Sequence, residues 1–278
     1  MTDYPFDCSP LSPAIGLEIR GLDLATTPSA ETTAVINRVF LERHVLVFRD
    51  QDMTPARQLA FAETVGEPAI YPFVKGLDGF PAITPIIKLP HETVNFGGLW
   101  HSDTTYLERP PKATMLLARE VPPVGGDTLF ASQVAAHNAL SGGMKQLLAP
   151  LRAVNASSKA DVTRTREDRI DKDGGAEKKS FEAIHPVIRT HPESGAKALY
   201  VNRGHTVRFE DLTEDESAGL LEFLFRHQTR EEFQCRVRWA PGTLVMWDNR
   251  ACQHYPVNDY HGHRREMHRI TLKGDVPR

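Results

Sequence analysis

The C-terminal stretch Arg264-Arg265-Glu266-Met267-His268-Arg269-Ile270-Thr271-Leu272-Lys273 reads as a strand over Arg265–Lys273. Side chains two apart on a strand share a face, so Arg265, Met267, Arg269 and Thr271 stand together, and His268 points to the other side. Inside a barrel, two guanidinium groups need anions to offset their lost hydration. Their planar forks suit a carboxylate, sulfonate or phosphate. The same pattern also fits two arginines on a solvent face with Met267 isolated between them, and the pattern alone does not choose. Upstream, Phe233–Trp239 and Thr243–Asp248 are strand-like. The second ends at an Asp248-Asn249 turn, with His254 just beyond it.

Working further outward, Lys112–Glu120 and Asp127–Ala131 read as strands joined by a Pro-Pro-Val-Gly-Gly turn, and Val45–Arg49 as a buried β-branched strand. Ile15–Asp23 and Ala196–Asn202 are further strands. Ser29–Arg43 has a helical apolar face. Thr54-Pro55 starts a helix that Gly66 stops. Ser132–Ala149 is read as one helical stretch. Thr213–Thr229 is the clearest helix, with Thr213 and Glu216 set as a capping box. Strands and helices do not alternate as βαβ units, so the sheet is expected to be mainly antiparallel. No linker divides the chain, and one domain over residues 1–278 is expected. Lys159–Lys179, over half of it Asp, Glu, Lys or Arg, reads as a surface loop or an active-site lid.

The 278 residues carry 33 basic and 36 acidic side chains, a formal charge of −3. A nucleic-acid binder usually shows a basic stripe, and none is present. No apolar run is long enough to span a bilayer, and the first residues lack the pattern of a secretory signal. Cys8, Cys235 and Cys252 form neither a disulfide framework nor a zinc pattern. A cytoplasmic location without membrane or nucleic-acid partners is the expectation.

The segment Trp100-His101-Ser102-Asp103 carries a His-x-Asp pair. On a strand, His101 and Asp103 would share a face while Ser102 points away. One distant histidine would complete a two-histidine, one-carboxylate set, which suits non-haem Fe(II) because it leaves coordination positions open. Alone, the pair is a weak signal.

Taken with its neighbours, the pair is more specific. Gly21-Leu22-Asp23-Leu24, Val45–Asp50, Trp100–Asp103, Gly125-Gly126-Asp127-Thr128, Leu199-Tyr200-Val201-Asn202, Trp247–Arg250 with His254, and Arg265–Arg269 follow one another in order. In these blocks, over nearly its whole length, the chain resembles the taurine dioxygenase/2,4-dichlorophenoxyacetate dioxygenase (TauD/TfdA) family of Fe(II)- and 2-oxoglutarate-dependent dioxygenases. The resemblance implies a mainly β fold with flanking helices, a double-stranded β-helix or jelly-roll, cupin-like barrel. It implies Fe(II) on His101, Asp103 and His254, and 2-oxoglutarate with its far carboxylate on Arg265 and Thr128. It implies O2 as second co-substrate, and succinate and CO2 as co-products. Arg269 is then expected nearer the metal, reaching the substrate's anionic end or the co-substrate. Members often form homo-dimers or homo-tetramers.

Several pocket positions depart from the taurine-type pattern. Tyr71-Pro72-Phe73 stands where a His-Pro-Val segment is usual, His205 and Ser157 replace aromatics, and Gly97 or Gly98 replaces an asparagine. Tyr71 and His205 are thus expected, with Arg269, to shape the substrate pocket. The expected substrate is a small anion: a sulfonate, alkyl sulfate or carboxylate. Alternatives are a non-catalytic barrel that binds a metal or anion, or a member performing desaturation or another oxidation. His185 and His191 are read as structural, and Trp100 and Trp247 as barrel core.

Overall fold

Successive residues of the strand Val45–Phe48 enter two different cores. Leu46 and Phe48 pack with Ile36, Phe40 and Phe61 of the helices Ala30–Arg43 and Pro55–Val65. Val45 and Val47 pack on the opposite face with Phe130, Val245, Trp247 and Met267. The strand Leu244–Asp248 alternates in the same way, with Leu244 and Met246 toward the helices and Val245 and Trp247 inward. A strand covered on both faces reads as a continuous apolar run. Full burial of one such side chain contributes roughly 1.5–3 kcal/mol.

The computed structural model describes residues 4–71, 74–95, 97–160 and 181–278. Its large sheet runs in the order Asp7–Pro10, Leu17–Arg20, Val45–Phe48, Leu244–Asp248, Ala113–Glu120, Arg265–Leu272, Pro68–Ala69, with Thr84–Lys88 also paired to Arg265–Leu272. The expected antiparallel pairing holds except between Leu17–Arg20 and Val45–Phe48, which run parallel. A three-stranded antiparallel sheet, Gln234–Val237, Thr128–Ser132 and Cys252–Pro256, lays Phe130, Cys235, Val237 and Cys252 against the inner face of the large sheet. Two facing sheets with helices outside one of them form the expected jelly roll.

The helix starts follow the sequence. Ser29, Thr54 and Thr213 cap their helices, and Thr213 and Glu216 make both bonds of the capping box. The helical stretch expected over Ser132–Ala149 is instead two helices, Gln133–Asn138 and Gly142–Leu148, capped by Ser132 and Ser141. Ala136, Leu140, Met144 and Leu148, from both sides of the break, meet one cluster, which conceals it at Ser141-Gly142-Gly143. A second layer, the sheet Thr206–Phe209, Arg152–Ala156 and Glu182–Pro186, packs with the helix Glu214–His227. The loop or lid expected at Lys159–Lys179 lies outside the described residues apart from its first two positions, which end the 3-10 turn Ser157–Ala160. Among the described residues no helix is long and apolar enough to cross a membrane.

Candidate metal and anion site

The strand expected beneath His101-Ser102-Asp103 is reduced to a single bridge. The His101 N–H donates to the His254 carbonyl at 3.1 Å and the His254 N–H donates to the His101 carbonyl at 2.8 Å. The chain then turns, with Thr104 at φ 43°. A β-branched residue in the left-handed region costs about 1–3 kcal/mol, so the packing around this turn holds it there. One rung still sets the side-chain directions: Ser102 Oγ donates to the Cys252 carbonyl at 2.9 Å, while His101 and Asp103 face the barrel interior. His254 lies on the strand Cys252–Pro256, opposite Phe130.

His101, Asp103 and His254 are buried, and each offers a donor atom within 4.8 Å of the other two. His101 Nδ1 is bonded to the Leu99 carbonyl at 2.7 Å, which leaves Nε2 facing Asp103 Oδ1 at 3.9 Å. His254 Nδ1 is buried without a hydrogen-bond partner. Burial pushes both imidazoles down, so they stay neutral and able to donate a lone pair. Burial alone would raise the Asp103 carboxyl, but the Arg269 guanidinium beside it, with the Thr114 hydroxyl, holds it well below the usual carboxylate range. Two neutral imidazoles and one carboxylate on one side of a cavity fit a divalent cation of the Fe(II) type. Gly97, at φ 72°, keeps the approach open: a Cβ there would lie 2.7 Å from His101 Cε1.

Two cavities meet at this cluster and share His101, Asp103 and Arg269. The first, about 520 Å³, is lined also by Ile86, Leu116, Thr128, Trp239, Trp247, His254, Pro256 and Arg265. Arg265 and Arg269 do face the interior together, which decides between the two readings of the C-terminal strand. Arg265 is buried, hydrogen-bonded to Tyr260, and set over the Trp239 ring at 5.6 Å. Among the described residues it has no ion pair with an acid, and its Nε has no partner. Trp239 Nε1 donates to Thr128 Oγ1 at 3.0 Å. That bond uses a lone pair of the Thr128 hydroxyl, whose own proton is then available to an incoming acceptor. This end of the cavity thus presents a buried positive charge without an acid partner among the described residues, beside a hydroxyl able to donate.

The second cavity, about 460 Å³, adds Tyr71, Gly97, Gly98, Leu99, Thr104, Tyr106, Gly204 and His205. Arg269 Nη2 lies 2.9 Å from Asp103 Oδ1, and its guanidinium carbon is 5.2 Å from the Tyr71 ring centroid. His205 Nδ1 is bonded to Thr105 Oγ1 at 2.9 Å. Burial pushes its imidazole down to about 3, so it meets the cavity as a neutral ring. Of the other pocket positions expected from sequence, Gly97 and Gly98 line this cavity and Ser157 does not: its hydroxyl accepts from the Phe181 N–H at 2.9 Å. Pro72 and Phe73 lie outside the described residues. Trp247 is buried as expected, but Trp100 is only half-buried, stacked on Tyr255. His191 is structural, bonded to Asp248 Oδ2 at 3.0 Å, and His185 bonds to the Leu107 carbonyl. His268 faces away from the cavity toward Glu266. Sequence reading missed Trp239 and Tyr260 beside Arg265. The only local sign was an aromatic at the end of the expected strand Phe233–Trp239.

Residues 7–271 match the family described as taurine catabolism dioxygenase TauD, TfdA family. The chain is 36% identical over 279 residues to an alpha-ketoglutarate-dependent sulfate ester dioxygenase of Pseudomonas putida, covering 98% of this chain and 90% of that protein. It is 34% identical to an alkylsulfatase of Acinetobacter baylyi, over 96% of this chain and 84% of the relative. Among solved structures, AAD-2 in complex with Mn(II) and N-oxalylglycine superposes with a TM-score of 0.83 at 27% identity, covering 98% of this chain and 99% of the other.

Proposed function

This chain belongs to the TauD, TfdA family of dioxygenases, and we propose that in it His101, Asp103 and His254 hold one Fe(II) ion. It is a 2-oxoglutarate-dependent dioxygenase acting on an anionic substrate. The bound iron and 2-oxoglutarate supply the oxidising chemistry, in which O2 is consumed, 2-oxoglutarate leaves as succinate and CO2, and a substrate C–H is oxidised.

This chain's own residues do the rest by charge and geometry. Arg265 binds the far carboxylate of 2-oxoglutarate, the Thr128 hydroxyl donates to it, and Trp239 fixes the direction of that hydroxyl. Arg269 keeps Asp103 ionised and presents positive charge to the second cavity, where it draws the substrate's anionic head. Tyr71 and His205 form the wall against which the rest of the substrate lies. Trp247, Leu116 and Ile86 keep the first cavity apolar, which strengthens each of these charge contacts. The substrate class is a small sulfonate, alkyl sulfate or carboxylate, and the sulfate-ester relatives favour alkyl sulfates. Oxidation of the carbon beside the ester oxygen gives an unstable adduct that releases sulfate and leaves an aldehyde.

The observation that carries this reading is a buried guanidinium, Arg265, that has no acid partner among the described residues and lines the same cavity as three convergent metal donors. Anaerobic titration with Fe(II) and 2-oxoglutarate tests it. The expected result is a visible charge-transfer band that shifts when the right alkyl sulfate, sulfonate or carboxylate is added, followed by succinate release in air. Absence of the band, or turnover confined to cationic or neutral compounds, overturns it.

A further inference from the structure

Thr114 and Asn249 line neither cavity, yet both are completely buried and connected to Asp103. Asn249 belongs to the Trp247-Asp248-Asn249-Arg250 block. Asp248 and Arg250 serve the turn itself: Arg250 Nε and Nη2 donate to the two Asp248 oxygens at 2.8 and 2.7 Å. Asn249 and Trp247 face the other way.

Thr114 Oγ1 lies 2.6 Å from Asp103 Oδ2. An ionised carboxylate only accepts, so the hydroxyl proton goes to Asp103. The Thr114 oxygen in turn accepts from Asn249 Nδ2 at 3.0 Å. Asn249 Oδ1 accepts from Trp247 Nε1 at 3.0 Å and from the Asp103 backbone N–H at 3.3 Å. Flipping the Asn249 amide would set its NH2 against two N–H donors. The polarity therefore runs one way, from Trp247 through Asn249 and Thr114 to Asp103, and every member is satisfied.

This relay occupies Oδ2, while Oδ1 faces His101 Nε2 at 3.9 Å and is shared with Arg269 Nη2 at 2.9 Å. We propose that Thr114 and Asn249 are positioning residues that restrict Asp103 to one-oxygen ligation, so that the carboxylate does not swing to chelate the ion and close a coordination position. The inference rests on the metal-site reading above. Partners of this kind typically change metal affinity by about 10–100-fold.

The test uses the full chain with Co(II) as the probe, whose visible bands report coordination number, with thermal unfolding run in parallel. Thr114→Val is expected to weaken Co(II) binding by about 10–100-fold and to change the visible spectrum, while Thr114→Ser keeps both near the wild type. Asn249→Leu is expected to move both readouts in the same direction by less. Because Asn249 acts on Asp103 both through Thr114 and through the Asp103 backbone N–H, the losses in the double variant should fall short of the sum of the two single losses. A folded Thr114→Val protein with the wild-type affinity and spectrum overturns the inference, as does a double variant whose losses simply add. If Thr114→Val does not fold, Thr114→Ala removes the hydroxyl without adding bulk and is read in the same way. A wild-type protein that fails to bind Co(II) overturns the metal site itself; wild-type binding left unchanged by loss of the hydroxyl overturns the relay alone.

Discussion

Arg269 Nη2 stands 2.9 Å from Asp103 Oδ1, with both side chains buried at the junction of two cavities. In the proposed function the pair links a metal donor to the residue that draws the substrate's anionic head. The guanidinium holds the carboxylate ionised before any cation arrives.

Removing the guanidinium should therefore cost more than substrate affinity. Arg269→Met leaves an unpaired buried carboxylate, which typically destabilises by about 3–5 kcal/mol. The expected outcome is a fall of at least about 100-fold in kcat/KM, together with a lower Tm for the metal-free protein. Arg269→Lys should not restore turnover, because an ammonium lacks the planar fork. Succinate release and thermal melts check both parts.

The metal donors should act as a set. His101→Ala and His254→Ala are each expected to abolish Fe(II)-dependent turnover. Chelation of the wild-type protein should do the same reversibly, with activity returning on addition of Fe(II). A ligand that binds only the folded state at 100 times its Kd adds about 2.7 kcal/mol. Calorimetric melting with and without metal should thus show a higher Tm for the loaded wild type and no metal response in either variant.

Co-substrate binding should separate from chemistry. A hydrogen bond to a charged group contributes about 1.5–3 kcal/mol. Thr128→Val is expected to raise the KM for 2-oxoglutarate by about 10–100-fold with a much smaller change in kcat. Trp239→Phe should shift the same KM in the same direction by less, because the Thr128 hydroxyl remains but its orientation is no longer imposed. Arg265→Met should have the largest effect of the three. Steady-state kinetics with 2-oxoglutarate as the varied reactant check the order.

Acid should unfold this protein early. Burial holds the His44 imidazole at about 4 against an ordinary 6.5. Between these values the unfolded chain binds a proton that the folded chain does not. Stability is thus fully present above pH 6.5 and is lost as pH falls toward 4, by an amount on the order of 3 kcal/mol for this one group. His205, pushed down to about 3, acts in the same direction over a wider range. His44 ends its helix at φ 59°, a conformation asparagine tolerates. The Tm of His44→Asn should therefore fall less steeply than that of the wild type between pH 7 and pH 4.5. Parallel slopes would show that His44 does not carry the effect.

What could be read in the sequence was what depends on local period or on one uninterrupted block. The strand Arg265–Leu272 declares itself because arginines and apolar residues alternate, and the structure puts Arg265 and Arg269 on the inner face with Met267. His101, Asp103 and His254 were legible only through the order of blocks around them, and the strand imagined beneath the first two is one bridge long. The partners of Asp103 and Thr128 were not legible. Thr114 meets Asn249, and Trp239 meets Thr128, through the pairing of Ala113–Glu120 with Leu244–Asp248 and of Gln234–Val237 with Thr128–Ser132. Register between distant strands leaves no mark in either one alone. The short strands Arg152–Ala156 and Thr206–Phe209 escaped for a related reason: Asn155 and Thr206 break their apolar pattern and bond each other across the strands, Thr206 Oγ1 donating to Asn155 Oδ1 at 2.7 Å.

The paired amide bonds between His101 and His254 join segments made at very different times during synthesis. A ribosome-bound chain that has exposed His101 and Asp103 still lacks the rung that fixes them, and both arginines of the last strand emerge later still. The three-donor set is therefore complete only in a nearly finished polypeptide. Truncated translation products that reach past Asp103 but stop short of His254 would carry two exposed donors and no cage.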